Sequence, residues 1–225
     1  MELTKRISGV LYAERNNFIY IDCMSGGSAQ YKYPTDVVSD LEILNEESFI
    51  DQIGRLVQDN KISPTQLIIV LAPSLLFGKK FPLPTQDGGE MEKIQKFIDT
   101  VPFESVSYTK YTMTDGIQVI AANVNFFEAI KQAFEKQGFI ARYVFPANIL
   151  EEDMSEGINV DSAKHIVGNI EKIKQYNLLG QPQITQPIEK KEPAPIGKSK
   201  NSLYVLGGVF VVLFIILVAM IILQK

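Results

Sequence analysis

The sequence predicts an α/β domain carried on one C-terminal transmembrane helix, and three observations predict it. Hydrophobic periods over residues 7–178 alternate between strand-like and helix-like. Residues 67–72, LIIVLA, form a continuous apolar run without polar alternation, as in a central strand covered on both faces. Residues 203–223, LYVLGGVFVVLFIILVAMIIL, are uncharged over 21 positions. At 1.5 Å per residue such a helix spans roughly 31 Å, the hydrocarbon thickness of a bilayer.

The first strand-like stretch is ISGVLYA (7–13), which can pair with FIYID (18–22) and AQYKY (29–33). The last two are rich in aromatic and β-branched residues, and the turn former SGGS between them predicts an antiparallel hairpin. A helix is expected over 46–59, where Phe49, Ile50, Ile53, Leu56 and Val57 recur at helical spacing behind an Asn45 cap. After the LIIVLA strand, KFPLP (80–84) reads as an extended segment ended by prolines. EMEKIQKFIDTV (90–101) places Ile94, Phe97, Ile98 and Val101 on one helical face, and Pro102 stops it.

Two further strands, SVSYTKY (105–111) and IQVIAAN (117–123), flank the turn TMTDG. A helix is then expected to start at Asn125, with Glu128 three residues on, Phe127, Ile130 and Phe134 facing inward, and Gly138 at its C-terminal stop. FIARYVF (139–145) is expected to close this unit as another strand. One more helix is expected over 161–178, with Ala163, Ile166, Ile170 and Ile173 on one face. No internal repeat is visible at a solenoid period.

Residues 181–202, QPQITQPIEKKEPAPIGKSKNS, contain Pro182, Pro187, Pro193 and Pro195 and almost no large apolar side chains. They read as a tether, which in an extended proline-rich conformation reaches roughly 65 Å. Lys190, Lys191, Lys198 and Lys200 precede the apolar run and Lys225 alone follows it, so the domain is expected on the cytoplasmic side. The N-terminal stretch, charged at Lys5, Arg6, Glu14 and Arg15, lacks the apolar core of an export signal. Cys23 is the only cysteine, as expected in a reducing compartment.

A formal charge of −4, from 22 basic and 26 acidic residues, argues against nucleic acid as a partner, because phosphate neutralisation needs clustered cations. His165 is the single histidine and has no Cys, Asp or Glu at ligand spacing, so it reads as a surface or packing residue. Cys23 reads as a small buried hydrophobe at a strand end. The acidic run Glu151, Glu152 and Asp153 reads as a solvated loop rather than a metal site. SGGS after Asp22 could offer backbone N–H groups to a phosphate, but it joins two strands rather than opening a helix, so the hairpin turn is favoured. No catalytic, cofactor-binding or metal residue is therefore assigned, and no cofactor is expected.

Three phrases carry a family resemblance: VLAPSLLFGKKFPLP (70–84), the helix ending in VPFE (101–104), and TDGIQVIAANVNFFEAIKQAFEKQGF (114–139). Together they resemble the actin-like assembly proteins of type IV pilus and type II secretion machines, PilM and the cytoplasmic part of GspL, over roughly residues 7–150. The resemblance implies an RNase H-like (actin-like) half, residues 1–75, carrying an inserted small α/β subdomain, residues 76–150. A helical extension over 151–180, the proline-rich linker over 181–202 and the transmembrane helix over 203–223 complete the expected division. Nucleotide-binding relatives carry a D-x-G-[ST] turn after the first strand. Here Asp22 is followed by Cys23 and Met24, so ATP binding is not carried over.

The expectation is a non-enzymatic, tail-anchored scaffold on the cytoplasmic face of a cell inner membrane, crossing it once. Its partners would be the membrane, an inner-membrane platform subunit and, as the resemblance implies, an assembly ATPase. Gly207 and Gly208 could let two helices approach closely, so an oligomer is possible, but without a GxxxG spacing a lipid-facing span with ordinary glycine content is favoured. Two other classes stay open at this stage: a membrane-bound nucleotide-dependent switch or enzyme using Asp22 and SGGS, and a tail-anchored trafficking protein with a longin-like head. The second would need heptads before the span, where the prolines stand.

Overall fold

Short runs of β-branched and aromatic residues build the first sheet. The computed structural model describes residues 7–82, 89–150 and 157–186. Strands β1 (Ile7–Ala13), β2 (Asn17–Asp22) and β3 (Ser28–Lys32) run consecutively antiparallel, with Leu11 opposite Tyr20 and Ile19 opposite Gln30. The two-strand ribbon β4 (Val38–Ser39) and β5 (Glu42–Ile43) follows, closed by Asp40 and Leu41, both at positive φ (48° and 65°). That backbone is the two-residue type I′ hairpin turn.

Helix α1 (Glu46–Asp59) starts where expected: the Asn45 side chain accepts from the Ser48 amide at 3.0 Å, and Glu46 and Glu47 favour the positive end of the helix dipole. It leads into β6 (Gln66–Leu71), which is buried at every position and lies parallel to β1. Leu67, Ile69 and Leu71 enter the core on one face of the sheet, and Ile68 and Val70 enter a second core on the other. A central strand must be apolar on both sides, which explains why LIIVLA shows no alternation.

The chain then builds a second sheet. Strand β7 (Leu76–Phe81) precedes helix α2 (Glu90–Ile98), and β8 (Ser105–Met113) and β9 (Gly116–Asn123) form a hairpin with Met113 opposite Gly116. β7 pairs antiparallel with β9, and Ile94, Phe97 and Ile98 of α2 are buried. The helix ends at Ile98 rather than Val101, because the Thr100 hydroxyl donates to the Phe97 carbonyl at 2.7 Å and the Val101 amide to Ile98.

Helix α3 (Val124–Glu135) is capped by Asn123, not Asn125 as expected. Asn123 is the last residue of β9 and keeps an extended backbone (φ −73°, ψ 110°) while its side chain accepts from Phe126 N, which is the cap geometry. Asn125 is two residues too late for it, already inside the first turn, and Glu128 pairs with Lys131 instead of closing a cap box. Gly138, at φ +88°, lies two residues beyond the Lys136 cap and turns the chain back.

Strand β10 (Ile140–Pro146) forms from FIARYVF, but it does not close the second layer as expected. It runs parallel to β6 in the first sheet, giving the order β10-β6-β1-β2-β3. Its Val144 and Ala141 enter one core and Phe145 the other, so β10 needs covering on both faces, which the first sheet provides. Phe49 and Ile53 of α1 and Phe127, Ile130 and Phe134 of α3 fill the first core.

The single helix expected over 161–178 is broken. Helix α4 (Val160–Gly168) ends at Asn169, whose backbone and side-chain amides both donate to the His165 carbonyl, and a short α5 (Ile170–Ile173) follows. Gly168 and Asn169 are residues that terminate helices. Ala163, Ile166 and Ile173 nonetheless share the expected face and line the second core. Past Tyr176 the chain runs extended along β10: Asn177 accepts from Val144 N at 2.8 Å, and Leu178 N donates to Val144 O at 2.8 Å.

Residues 183–185, expected within the tether, are strand instead. Gln183–Thr185 forms strand β11 on the outer edge of β8, Ile184 packs against the core, and the Gln186 amide donates to Glu104 O at 2.8 Å. Three residues directly after Pro182 suffice, because a proline is tolerated at a strand end. The second sheet thus has the order β11-β8-β9-β7. No helix among the described residues is long and apolar enough to cross a membrane; the run at 203–223 lies outside them.

Candidate functional site

The loop that could have held a phosphate is a turn bonded to itself. The Met24 amide donates to one Asp22 carboxylate oxygen at 2.9 Å and the Ser25 hydroxyl to the other at 2.7 Å. The Gly26 amide donates to Asp22 O at 2.8 Å, and the Gly27 amide to Ser25 Oγ at 3.1 Å. Gly26 supplies the required positive φ of 74°. The donors an anion would need are engaged, and a carboxylate faces them.

Cys23, the next residue, is half-buried against the second core, and its amide donates to Ser8 O at 2.8 Å. Burial pushes its thiol pKa up, with Asp22 adding to the effect, so the reactive thiolate is disfavoured. His165 lies on α4 and lines a groove of about 200 Å³ with Leu150, Ile166, Asn169, Lys172 and Tyr176. Asn169, where α4 ends, and Lys172 of α5 line the groove beside His165. No group of three or more His, Cys, Asp or Glu able to hold a metal occurs among the described residues. Glu151, Glu152 and Asp153 lie outside the described residues.

What the two sheets offer is edges. The outer edge of β10 is covered by Asn177 and Leu178, and that of β8 by β11. β3 and β7 have no strand on their outer side among the described residues. β3 presents Ser28, Gln30 and Lys32, all polar and exposed. β7 presents an aromatic and two lysines. Phe77 is 40 % exposed and meets Phe103 edge to face at 5.3 Å. Two residues on, Lys79 Nζ lies 5.6 Å from the Phe81 ring and 6.0 Å from that of Phe97, within cation–π range. Lys80, on the opposite face, is paired with Asp115.

Sequence reasoning named no contact residue and read only KFPLP as extended. The strand begins four residues earlier, at Leu76, and the adjacent lysines in LFGKKF were its readable sign, since lysine is the common guard of an open edge.

No protein-family model matches the chain, and no curated protein does. Among solved structures it is similar to the PilM–PilN type IV pilus biogenesis complex, at 12 % identity and a TM-score of 0.45, covering 63 % of this chain and 47 % of that one. It is also similar to the cytoplasmic domain of EpsL, an inner-membrane component of the type II secretion system of Vibrio cholerae, at 13 % identity and a TM-score of 0.38, over 61 % and 55 %. A third is a Bacteroides thetaiotaomicron protein with an actin-like ATPase fold and unknown function, at 12 % identity and a TM-score of 0.35, over 66 % and 55 %. The chain spans about half the length of each. Its structural neighbours thus include the pilus and secretion assembly proteins that its sequence phrases resemble.

Proposed function

We propose that this chain is a non-enzymatic scaffold held at the cytoplasmic face of a cell inner membrane by residues 203–223, serving a type IV pilus or type II secretion-like assembly platform. The first sheet, three antiparallel strands followed by two parallel ones, is the RNase H-like half, and the second sheet with α2 is the inserted subdomain. An inner-membrane platform subunit and an assembly ATPase are its partners. The observation that carries the reading is the uncharged 21-residue run, preceded by four lysines and a proline-rich segment. Beside it, the self-bonded SGGS turn gives no support to a nucleotide-driven activity.

The test is fractionation in a Gram-negative host. The full chain is expected to stay with inner membranes through alkaline carbonate, and a chain ending at Gln186 to be released. Recovery of the full chain in the carbonate supernatant would defeat the anchor. Affinity purification of the full chain in mild detergent should bring down platform subunits; trafficking or metabolic proteins in their place would defeat the scaffold.

A further inference from the structure

We propose that the open edge of β7 takes up, as an added strand, an extended segment of a partner protein in which acidic and apolar side chains alternate. The inference rests on the scaffold reading and names the surface and chemistry of its partner.

Phe77 to Phe81 have no main-chain partner beyond β9 among the described residues. Unpaired N–H and C=O groups in a row are a template for another strand, and main-chain bonds supply affinity while alternate side chains supply specificity. The same sheet already completes its opposite edge this way, with the polar–apolar–polar segment Gln183–Thr185 laid antiparallel on β8.

The side chains at the β7 edge select what can pair. Phe77, Lys79 and Phe81 alternate onto the face that carries α2, as their contacts with Phe103 and Phe97 show. A neighbour of Phe77 on that face meets a half-open aromatic ledge, so it is apolar. A neighbour of Lys79 meets an ammonium that lies over two rings and has no carboxylate partner among the described residues, so it is acidic. On the other face Gly78 is roofed by the Gln118 amide and Lys80 is held by Asp115, which leaves little to read there. A second copy of this chain is the wrong partner, because pairing two β7 edges sets lysines against lysines. The other open edge, β3, lacks an exposed aromatic and presents only polar side chains outward.

The experiment uses the full chain in detergent and two end-blocked peptides, one alternating Val and Glu, the other Val and Lys. Backbone amide exchange is read over Phe77 to Phe81. The Glu peptide at millimolar concentration is expected to slow exchange there by roughly tenfold or more, and the Lys peptide not to. Lys79→Glu should reverse the preference, and Phe77→Ser should weaken the Glu peptide without reversing it. Equal protection by both peptides, protection at Ser28 to Lys32 instead, no protection at all, or protection that rises with protein concentration alone would each overturn the proposal. The assay is independent of membrane attachment and of co-purification, so it can fail while the scaffold stands, or succeed while the scaffold falls.

Discussion

The side-chain amide of Asn123 donates to the main-chain carbonyl of Leu41 at 3.1 Å, while its oxygen accepts from the Phe126 amide at 3.3 Å. One side chain thus caps α3 and clamps the turn of the β4–β5 ribbon. The clamp matters because Leu41 sits at φ 65°, a conformation that costs a branched residue about 1–2 kcal/mol. Burial of the Leu41 side chain to 6 % exposure offsets the strain.

Asn123→Ala should therefore cost more than an ordinary cap, about 2–3 kcal/mol, because it also strands a carbonyl. Asn123→Asp keeps the cap acceptor and loses the donor, so it should fall between. Urea unfolding of the three proteins checks the order; an Asn123→Asp protein as weak as Asn123→Ala would show that the cap contributes nothing.

Tyr33 is buried among the rings of Phe18, Phe49 and Phe126, and its hydroxyl has no hydrogen-bond partner among the described residues. A stranded buried hydroxyl costs about 1–3 kcal/mol. Tyr33→Phe keeps the ring and removes the cost, so the midpoint of thermal unfolding should rise. A fall would mean that the hydroxyl is satisfied in solution.

Local signals were legible in the sequence and non-local ones were not. Asn45, LIIVLA and SGGS act through neighbours a few residues away, and each has the role its residue types dictate. FIARYVF was readable as a strand but not as a member of the first sheet, because its partner Gln66–Leu71 lies some seventy residues upstream and both strands have the same apolar character. Asn123 and Asn125 are equivalent in propensity; only the end point of β9 decides which caps. Gln183–Thr185 has no strand signature of its own and is ordered by the edge of β8. The β7 edge is further from view still, because whether a strand is an edge depends on sheet order, and only the lysine pair hints at it.

Burial raises the pKa of five tyrosines, Tyr12, Tyr20, Tyr31, Tyr33 and Tyr111, with Tyr31 pushed up to about 12 from 10.0. A raised folded-state value favours the protonated form, so the Tyr31 contribution to stability is whole below pH 10 and is lost as pH climbs from 10 through about 12. Tyrosinate absorbance of the native protein should lag behind that of the urea-unfolded protein across this window, and Tyr31→Phe should narrow the lag. Superimposed titration curves would contradict the burial.

Gly116 opens β9 where the chain passes close to β7: a Cβ built on it falls 2.3 Å from the Phe81 carbonyl oxygen. No side-chain rotation relieves a clash with backbone, so the two strands must separate. Gly116→Ala should cost about 2–4 kcal/mol. Amide exchange should rise first in Leu76 to Phe81 and stay slow in β1 and β6. Uniform loss of protection across both sheets would show that they unfold as one unit.

Strand β11 ties residues 183–186 to the second sheet. Gln186 donates its main-chain amide to Glu104 O and its side-chain amide to Ile98 O, joining the strand to both β8 and the end of α2. Ile184 is the one apolar side chain of the strand and packs on the core. Ile184→Asp replaces that contact with a charge at a half-buried site and should cost about 1–2 kcal/mol, the order of the apolar area given up. Because β11 holds only three residues, its loss should be local: Ser105 to Ser107 amides should exchange faster while β9 stays protected. If the variant instead exchanges like the native chain, Ile184 does not hold residues 183–185 on the edge of β8 in solution.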